Sequence, residues 1–400
     1  TMAAKVISIA PCTSFQPSSH SLRMDVPNPI ATSEASVERG RELYGIYCTG
    51  CHGTDGMSNV AELPVARRLV AAGCERLAVA TVAEAAELRA AAVRVPILVL
   101  GGIHDAGEAA DAAALELVPV IQHAGHVALL ARAAGERGRP LGVELEVDTG
   151  MARMGVAPED VAAFAASFVR DGALVLEGVY THLSCADEAD LGPSRRQLAL
   201  FGEILSGLGS RGLAPERVHV ANSAGLVAGA ELADSLPREV NAVRPGLLLY
   251  GVQPSPARAE LATLRPVMSL RTRVANVRHV RRGDPVGYGA TFRAKQRGRI
   301  VTVPVGYADG VPWSLGNRGQ ALLRGRKVPI AGRVSMDLVT LDVGELPVEI
   351  GDPVLLFGET AEPPRERLPV EAQAEAAGTI SYELLVRVGR RVPRVLEAEA

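Results

Sequence analysis

Between about Val65 and Gly251 the sequence alternates short runs rich in β-branched residues with alanine-rich amphipathic stretches. This alternation is typical of parallel β-strands joined by helices that pack on the sheet. We predict helices at 65–72, 81–91, 109–115, 124–137, 158–170, 194–208 and 224–229, and strands at 77–80, 97–101, 117–122, 143–147, 176–182, 217–221 and 243–250. Seven strands are one fewer than a closed (β/α)8 barrel requires.

The two ends of the chain have sequence patterns that differ from this alternation. After about Leu261, strand-like runs alternate with Gly and Asp turns, which is typical of an all-β domain. Residues 11–33 are rich in Pro and Ser and look irregular. The predicted fold class is therefore α/β: a (β/α)8-type barrel, its first strand missing or replaced, followed by a C-terminal all-β domain. The expected division is 1–60, 61–255 and 256–400.

Composition limits the classes of function. Hydrophobic residues make up 48% of the chain and charged residues 22%, which is enough to bury a large core. The net charge of −3 comes with no basic block, so we expect no nucleic-acid partner. No apolar run reaches the roughly 18 residues of a membrane span, and no signal peptide is recognisable. Five scattered cysteines indicate reduced thiols and a cytoplasmic location.

Polar residues follow three of the predicted strands, where active sites of (β/α)8 barrels lie. His182 ends one strand, Asn222 and Ser223 follow the next, and Arg244 and Gly246 belong to the last. A phosphate site after the last two strands is common in this fold, and Ser223 and Gly246 are suitable donors. Alternatively, Ser223 is only a helix N-cap and His182 only a core histidine.

Eight segments extend these observations along the chain: EVDTGMARMG, YTHLSCADE, VANSAG, VRPGLLLYG, VGYGATF, VPVGYADG, GRVSMD and ISYE. Their order resembles alanine racemase, a pyridoxal 5′-phosphate (PLP) enzyme, over about five-sixths of the chain. The resemblance implies an isomerase that interconverts L- and D-alanine through a PLP aldimine and two-base proton transfer. Its product would supply D-alanine for peptidoglycan.

The resemblance also implies roles for three catalytic residues. Arg244 matches the arginine that hydrogen-bonds the pyridine nitrogen of PLP, and His182 matches the histidine that contacts both this arginine and the catalytic tyrosine. Tyr288 matches that tyrosine, which exchanges a proton on one face of the substrate. The free pKa of tyrosine, about 10, must be lowered for this work, and a neighbouring His/Arg pair is a physical route. From its spacing alone, Tyr288 also suits a turn between two glycines.

Other matches concern substrate and cofactor. Arg153 matches an arginine near the substrate carboxylate, and Glu146 stands where many members carry a carbamylated lysine that orients this arginine. Met336 and Asp337 match residues that reach the substrate from a second subunit, and Tyr307 an entryway residue, so a homodimer is implied. The implied cofactor-binding residues are Asn222, Ser223, Arg244, Gly246, Leu247 and Tyr382.

One family motif is absent. The family holds PLP as a Schiff base on a lysine in a motif close to KANAYGHG, but this chain has only Lys5, Lys295 and Lys327. The expected position of the lysine is roughly 54, where the chain has Thr54, and a Schiff base requires a primary amine. We therefore expect weak, non-covalent PLP binding and impaired activity. A non-catalytic PLP-binding protein of this fold is one alternative.

A second motif occupies this neighbourhood. Residues 38–56 resemble the opening helix and haem-attachment segment of class I cytochromes c, with Cys48 and Cys51 as attachment sites and His52 as axial ligand. An electron-transfer protein with covalent haem is thus a further alternative. The resemblance ends within a few residues of Gly56, so we expect a truncated fragment within residues 1–60, no haem c and no metal.

Overall fold

Eight parallel strands close into a barrel with helices outside it. The computed structural model describes residues 6–9, 45–49, 62–261, 264–361, 363–389 and 391–396. The strands up to the end of the barrel are β1 (Val6–Ile9), β2 (Gly45–Thr49), β3 (Arg76–Val79), β4 (Ile97–Val99), β5 (Val118–Ile121), β6 (Leu141–Val147), β7 (Leu174–Thr181), β8 (Arg217–His219) and β9 (Ala242–Val243). Strands β2 to β9 pair in chain order, and β9 pairs with β2.

The helices of this part alternate with the barrel strands, as the sequence pattern predicts. They are α1 (Glu62–Ala71), α2 (Val82–Ala90), α3 (Ala106–Ala114), α4 (Ala124–Arg137), α5 (Val161–Val169), α6 (Gly192–Gly209), α7 (Ser223–Val227) and α8 (Gly229–Leu232). Local chemistry fixes their ends. The Thr81 hydroxyl accepts from the Glu84 amide while the Glu84 carboxylate accepts from the Thr81 amide, a capping box that starts α2. Gly138, at φ 74°, ends α4.

The first barrel strand is present, which corrects one expectation. Seven strands were expected in the barrel, because no strand was predicted before residue 77. Instead Gly45–Thr49 forms β2, in which Cys48 pairs with Leu77 and Ile46 with Val243. Ile, Tyr and Thr favour strands, and a parallel ladder is held by backbone groups, so the sequence GIYCT suits this place. The first strand is thus replaced by this segment, not missing.

The last predicted strand is shorter than expected. Residues 243–250 were predicted as one strand, but β9 ends at Val243 and Leu247–Tyr250 forms a 3-10 helix. Pro245 has no backbone N–H to give to a ladder, so the strand stops before it. This break turns the backbone at Gly246 toward the end of the neighbouring strand β8.

Strands dominate the C-terminal part, as predicted. They are β10 (Met268–Arg273), β11 (Asn276–Val280), β12 (Pro285–Val286), β13 (Phe292–Arg293), β14 (Gly298–Val303), β15 (Gln320–Leu323), β16 (Arg326–Pro329), β17 (Val339–Gly344), β18 (Pro353–Glu359), β19 (Arg367–Leu368) and β20 (Arg394–Leu396). Two short helices, α9 (Val370–Ala377) and α10 (Ser381–Val386), accompany them. The largest sheet has the order β16-β15-β18-β10-β1-β20, with β19 paired to β18.

The N-terminal strand therefore belongs to the C-terminal sheet. Val6 pairs with Arg271 in antiparallel register, and Ile7 pairs with Arg394 in parallel register. Strand β1 thus precedes the barrel in the sequence but pairs with strands that follow it. The boundaries 60/61 and 255/256 stay a prediction. Within the described residues, no helix combines the length and the apolar character needed to cross a membrane.

Candidate functional site

Arg244 is the centre of the polar cluster at the carboxyl ends of the barrel strands. Its guanidinium is buried, with Nη1 2.5 Å from Nδ1 of His219 and Nη2 donating to the Thr181 carbonyl at 2.9 Å. Nη2 also lies 3.3 Å from Nδ1 of His182, and Cζ lies 4.5 Å from the centre of the Tyr180 ring. These acceptors hold the cation in one orientation although it is buried.

His182 lies between two donor groups. Nδ1 faces Arg244, while Nε2 lies 3.2 Å from the Asn222 side-chain nitrogen. The Asn222 amide is oriented by its oxygen, which accepts from the Gly225 amide at 2.8 Å and so caps α7. A neutral imidazole has one bare nitrogen, so only one of the two contacts is a hydrogen bond in a given tautomer. Burial, Arg244 and Arg153 lower the pKa of His182 to about 3, so its ring is neutral near pH 7.

The segments after β8 and β9 form a donor cradle. The Ser223 hydroxyl accepts from the Gly246 amide at 2.9 Å and from the Leu248 amide at 3.3 Å. Asn222, not Ser223, is the N-cap residue of α7, so the N-cap interpretation of Ser223 was wrong. Leu247 is buried beside the cradle. The Ser223 hydroxyl is thus held by two backbone N–H groups and keeps its own O–H to donate to a phosphate oxygen.

The loop that carries Arg153 is tied to the strand that carries His182. Asp148 Oδ1 accepts from the amides of Gly150, Met151 and Ala152 at 2.9–3.0 Å, which shapes the turn. Thr149 Oγ1 lies 2.7 Å from Thr181 Oγ1. Arg153 itself is exposed, and its charge is one of the causes of the low pKa of His182. A cation near the mouth of the site is therefore available to a carboxylate.

Glu146 is a buried carboxylate whose contacts differ from the expectation. Its Oε2 accepts from Gln122 Nε2 at 2.7 Å and from the Tyr180 hydroxyl at 3.0 Å. Within the described residues, no ion pair joins Glu146 to Arg153. Burial and the charge of Glu146 hold the pKa of Tyr180 well above its usual range. Glu146 thus holds the Tyr180 side chain in place, and the Tyr180 ring in turn packs against Arg244.

Three residues of this network were missed from the sequence: His219, Glu144 and Tyr180. The Glu144 carboxylate lies 2.7 Å from His219 Nε2, and both side chains are fully buried. One sequence signal was available, because two glutamates at alternate positions of the otherwise apolar strand LGVELEV must face the same side. In a strand covered on both sides, buried carboxylates require partners.

The remaining candidates lie on the C-terminal part. Tyr288, between β12 and β13, is 72% exposed, and in the described part of a single chain no hydrogen bond joins it to His182. Tyr307 and Met336 are exposed and lie on neighbouring loops, because the Tyr307 amide donates to the Ser335 carbonyl. Asp337 pairs with Arg391 at 2.6 Å. Tyr382 lies in the first turn of α10 and is also exposed.

The Glu371 side chain brings helices α9 and α10 to the barrel. Its carboxylate accepts from the Gln253 amide at 3.0 Å, just after the segment that carries Gly246 and Leu248. The short helix α10 follows α9 directly. This contact joins α9 to the segment that follows the barrel, and Tyr382 lies in the next helix.

The residues fit PLP in part. The Ser223 cradle suits its phosphate, and the fixed guanidinium of Arg244 suits a ring nitrogen. The sequence has no lysine from residue 6 to residue 294, so the barrel offers no amine to the aldehyde, and Lys295 and Lys327 are exposed on the C-terminal part. Thr54, Cys51 and His52 lie outside the described residues, whereas Cys48 is part of β2. The fit is therefore that of a non-covalent site.

Family models match most of the chain. The model of the alanine racemase N-terminal domain matches residues 59–254, and that of the alanine racemase C-terminal domain matches residues 267–396. Both matches lie outside the segment that resembles a haem-attachment motif, and none of the matches indicates haem. This pattern supports the racemase function over electron transfer.

Similar proteins agree with the family models. Alanine racemase of Sorangium cellulosum is 42% identical over 82% of this chain and 86% of its own length, and that of Syntrophobacter fumaroxidans is 40% identical over 88% and 89%. Alanine racemase from D-cycloserine-producing Streptomyces lavendulae has a similar structure, with a TM-score of 0.84 and 30% identity, covering 100% of this chain and 98% of that one. The Bacillus anthracis enzyme with bound L-Ala-P gives 0.80 and 29%, covering 100% and 96%. The chain belongs to the alanine racemase family of isomerases.

Proposed function

We propose that this protein binds PLP without a covalent bond and acts on alanine with strongly reduced racemase activity. The family is PLP-dependent, and the observation that carries the proposal is the Ser223 cradle beside a fixed Arg244. Ser223, Gly246, Leu247 and Asn222 would hold the phosphate, with Tyr382 from α10 as a further ligand. The contact between Glu371 and Gln253 supports this last assignment, because it joins α9, which precedes α10, to the segment that carries Gly246 and Leu247 out of the barrel.

Arg244 would meet the ring nitrogen of PLP. When bound, PLP withdraws electrons from the Cα of an amino acid and so makes its hydrogen acidic. Arg244 is permanently charged and gives no proton to the ring nitrogen, because its pKa is too high. His182 and His219 are both neutral around it, with pKa values of about 3 and about 4. The site would therefore keep the ring nitrogen unprotonated.

Arg153 would bind the carboxylate of alanine. Its exposed guanidinium presents a planar fork of donors, which matches a carboxylate. Thr149 and Asp148 fix the loop, so the position of Arg153 depends on the strand that carries His182. Glu146 would stabilise this side of the site through its hydrogen bond with Tyr180.

A second copy of the chain would complete the site. The family is typically dimeric, and four residues matched to substrate or catalytic positions are exposed on the C-terminal part of one chain: Tyr288, Tyr307, Met336 and Asp337. Large apolar side chains in an exposed cluster are typical of an interface. In the proposed homodimer, Tyr288 of one copy lies at the mouth of the other copy's barrel and contacts His182.

The missing lysine impairs the proton-transfer step of racemisation. Racemisation requires a proton to leave one face of Cα and another to arrive on the opposite face, so it needs two groups. Tyr288 supplies one of them, and no lysine is available for the other. The loss of one acid/base group typically slows such reactions by about 10²–10⁴-fold.

The first experiment tests the bond to PLP. The purified protein is titrated with PLP, treated with borohydride and digested for peptide mass mapping. We expect PLP absorbance to respond to binding but no pyridoxyl group on any peptide. A pyridoxyl adduct on Lys5, Lys295 or Lys327 contradicts non-covalent binding. A Ser223→Ala variant should bind PLP more weakly.

The second experiment measures D/L-alanine exchange in the protein and in three variants. Thr54→Lys places an amine at the position expected from the sequence and should raise the rate by about 10²-fold or more. Tyr288→Phe should remove what activity the parent has, and Thr54→Arg controls for charge without an amine. Equal rates for the parent and Tyr288→Phe support a non-catalytic PLP-binding protein and contradict the racemase proposal.

We propose a cytoplasmic location and a role in supplying D-alanine for peptidoglycan. Cys74 and Cys185 form no disulfide bond among the side chains that the structure describes, which suits a reducing compartment. Fractionation of cells that express the tagged protein would test the location.

For the haem alternative, co-expression with cytochrome c maturation proteins should give colourless protein, and a covalent haem spectrum would contradict the proposal.

A further inference from the structure

We propose that Arg76 and Glu144 are positioning residues that hold Arg244 in place through His219. The four side chains form one buried chain across the barrel interior, from β3 through β6 and β8 to the residue after β9. Neither Arg76 nor Glu144 lies in one of the eight segments named in the sequence analysis. The inference concerns the protein without cofactor, and its consequence for ligand binding depends on the proposed function.

The distances connect each member to the next. Arg76 Nη1 lies 3.3 Å from Glu144 Oε1, Glu144 Oε2 lies 2.7 Å from His219 Nε2, and His219 Nδ1 lies 2.5 Å from Arg244 Nη1. Glu144 and His219 are fully buried. Charged hydrogen bonds away from water are short and strong, so each member restricts the position of its neighbours.

These contacts determine where the single proton on the His219 ring lies. The nitrogens of Arg244 can only donate, so His219 Nδ1 must offer a lone pair. An ionised Glu144 can only accept, so His219 Nε2 must carry the proton. The ring is therefore the neutral Nε2–H tautomer. A proton on Nδ1 would face the guanidinium hydrogens and push Arg244 away.

Arg76 is needed because Glu144 alone would favour a charged His219. The carboxylate of Glu144 raises the pKa of His219, whereas burial, Arg244 and Arg76 lower it to about 4. Without Arg76, a buried carboxylate would face a histidine able to take a second proton, on Nδ1. Arg76 balances the charge of Glu144 and so leaves the Nδ1 lone pair to Arg244.

The backbone makes room for this chain of contacts. A Cβ added at Gly178 would lie 2.7 Å from Cδ of Glu144, and one added at Gly142 would meet the side chain of Glu177. Glu177 is the second partner of Arg76, at 3.1 Å, and its side chain is 33% exposed. Glycine at 178 lets the Glu144 carboxylate occupy the barrel interior. The barrel thus accommodates both carboxylates that hold Arg76.

The test is the tautomer of His219 in the protein without cofactor. ¹⁵N-histidine-labelled protein is compared with Glu144→Gln and Glu144→Leu, and the His219 signals are assigned by their loss in His219→Gln. In the parent we expect a bare Nδ1 and a protonated Nε2. Glu144→Gln keeps an acceptor of nearly the same shape and should keep this tautomer. Glu144→Leu should give a mixture of tautomers.

Glu136→Gln, on the exposed face of α4, is the matched control and should leave the spectrum unchanged. An Arg76→Leu variant should show a second proton on His219 at a higher pH than the parent. If Glu144→Leu is folded and His219 keeps the parent tautomer, the inference is wrong. If Glu144→Leu does not fold, Arg76→Leu decides, because an unchanged His219 titration there also contradicts the inference.

Ligand binding gives a second measurement. Pyridoxine 5′-phosphate has the ring and phosphate of PLP but no aldehyde, so it probes the proposed donors alone. We expect Glu144→Leu to weaken its binding by about 10-fold, comparable with the loss of outer-shell partners at metal sites, and Glu144→Gln to bind nearly as the parent does. Unchanged binding in Glu144→Leu contradicts the positioning of Arg244. If the parent itself does not bind, the proposed function fails, and the tautomer measurement still tests the inference.

Discussion

Tyr180 is stacked on His219, with ring centroids 4.8 Å apart and planes inclined by 14°. The Tyr180 hydroxyl donates to Glu146 at 3.0 Å, so this ring connects the buried carboxylate of β6 to the contacts around Arg244. Two different roles of Tyr180 can therefore be separated. The ring packs against His219 and Arg244, and the hydroxyl stabilises Glu146.

We expect Tyr180→Phe to keep the stacking and to lower the free energy of unfolding by about 1–3 kcal/mol, since a buried carboxylate loses a donor. Tyr180→Ala should cost about 3–5 kcal/mol because it also leaves a cavity. Chemical denaturation of both variants measures these losses. Tyr288→Phe removes an exposed hydroxyl and should change the free energy of unfolding by less than about 0.5 kcal/mol. Equal losses for the two Phe variants would contradict the role of the Glu146 contact.

Stability should fall as the pH is lowered from 7 to 5. The folded pKa values of His219 and His182 are about 4 and about 3, below the ordinary 6.5 of histidine. Below about pH 6.5 the unfolded chain therefore binds more protons than the folded chain, which favours unfolding. Each histidine contributes at most about 1.4 kcal/mol per pH unit.

Urea denaturation at several pH values between 7 and 5 measures this slope. His219→Gln should reduce the slope by up to one proton. A slope that is the same in His219→Gln and in the parent would show that His219 is not protonated on unfolding in this range.

Arg391 should stabilise the two loops that carry Tyr307 and Met336. It bridges Asp309, fully buried, at 2.7 Å and Asp337, 56% exposed, at 2.6 Å. We expect Arg391→Leu to lower the free energy of unfolding measurably, because the buried Asp309 loses a charged partner. Asp337→Asn should cost less than about 0.5 kcal/mol. If thermal unfolding ranks these variants in the opposite order, the contact with Asp309 does not carry the stabilisation.

Barrel closure should depend on β2. A proline at position 47 cannot donate to the parallel ladder, so we expect Tyr47→Pro to destabilise the barrel by about 3 kcal/mol or more. Tyr47→Thr changes the side chain but keeps the backbone donor and suits a strand, which makes it the matched control. Hydrogen exchange in β3 and β9, the two neighbours of β2, should increase in Tyr47→Pro alone. Unchanged exchange in both strands would contradict closure through Gly45–Thr49.

The sequence predicts the regular parts of this fold well and its exceptions poorly. Helix α4 has the predicted bounds, because its apolar periodicity coincides with a glycine that ends it. Strand β2 was missed because it overlaps the CxxCH motif, whose resemblance to a cytochrome c segment competes with the strand propensity of Ile46, Tyr47 and Thr49. The expected strand 243–250 was too long, because its apolar character continues past Pro245 although its ladder cannot.

The candidate site, too, was predicted from the sequence only in part. Residues at strand ends, such as His182 and Arg244, are recognisable from the order of strands and motifs. Glu144 and His219 lie in different strands, 75 positions apart, and their contact depends on how the barrel closes. The side chains inside a barrel alternate along every strand, but which of them meet is set by the register between strands. A single sequence without a structure does not contain that register.

The position of β1 has a consequence for biosynthesis. This strand leaves the ribosome before the barrel, yet its neighbours β10 and β20 are translated only after the barrel is complete. At roughly 5–20 residues per second, β1 waits for tens of seconds with both edges unpaired. Unpaired edges are templates for association with other chains. Nascent chains should therefore be most prone to aggregation, and most dependent on chaperones, in the interval between the emergence of β1 and the synthesis of β10.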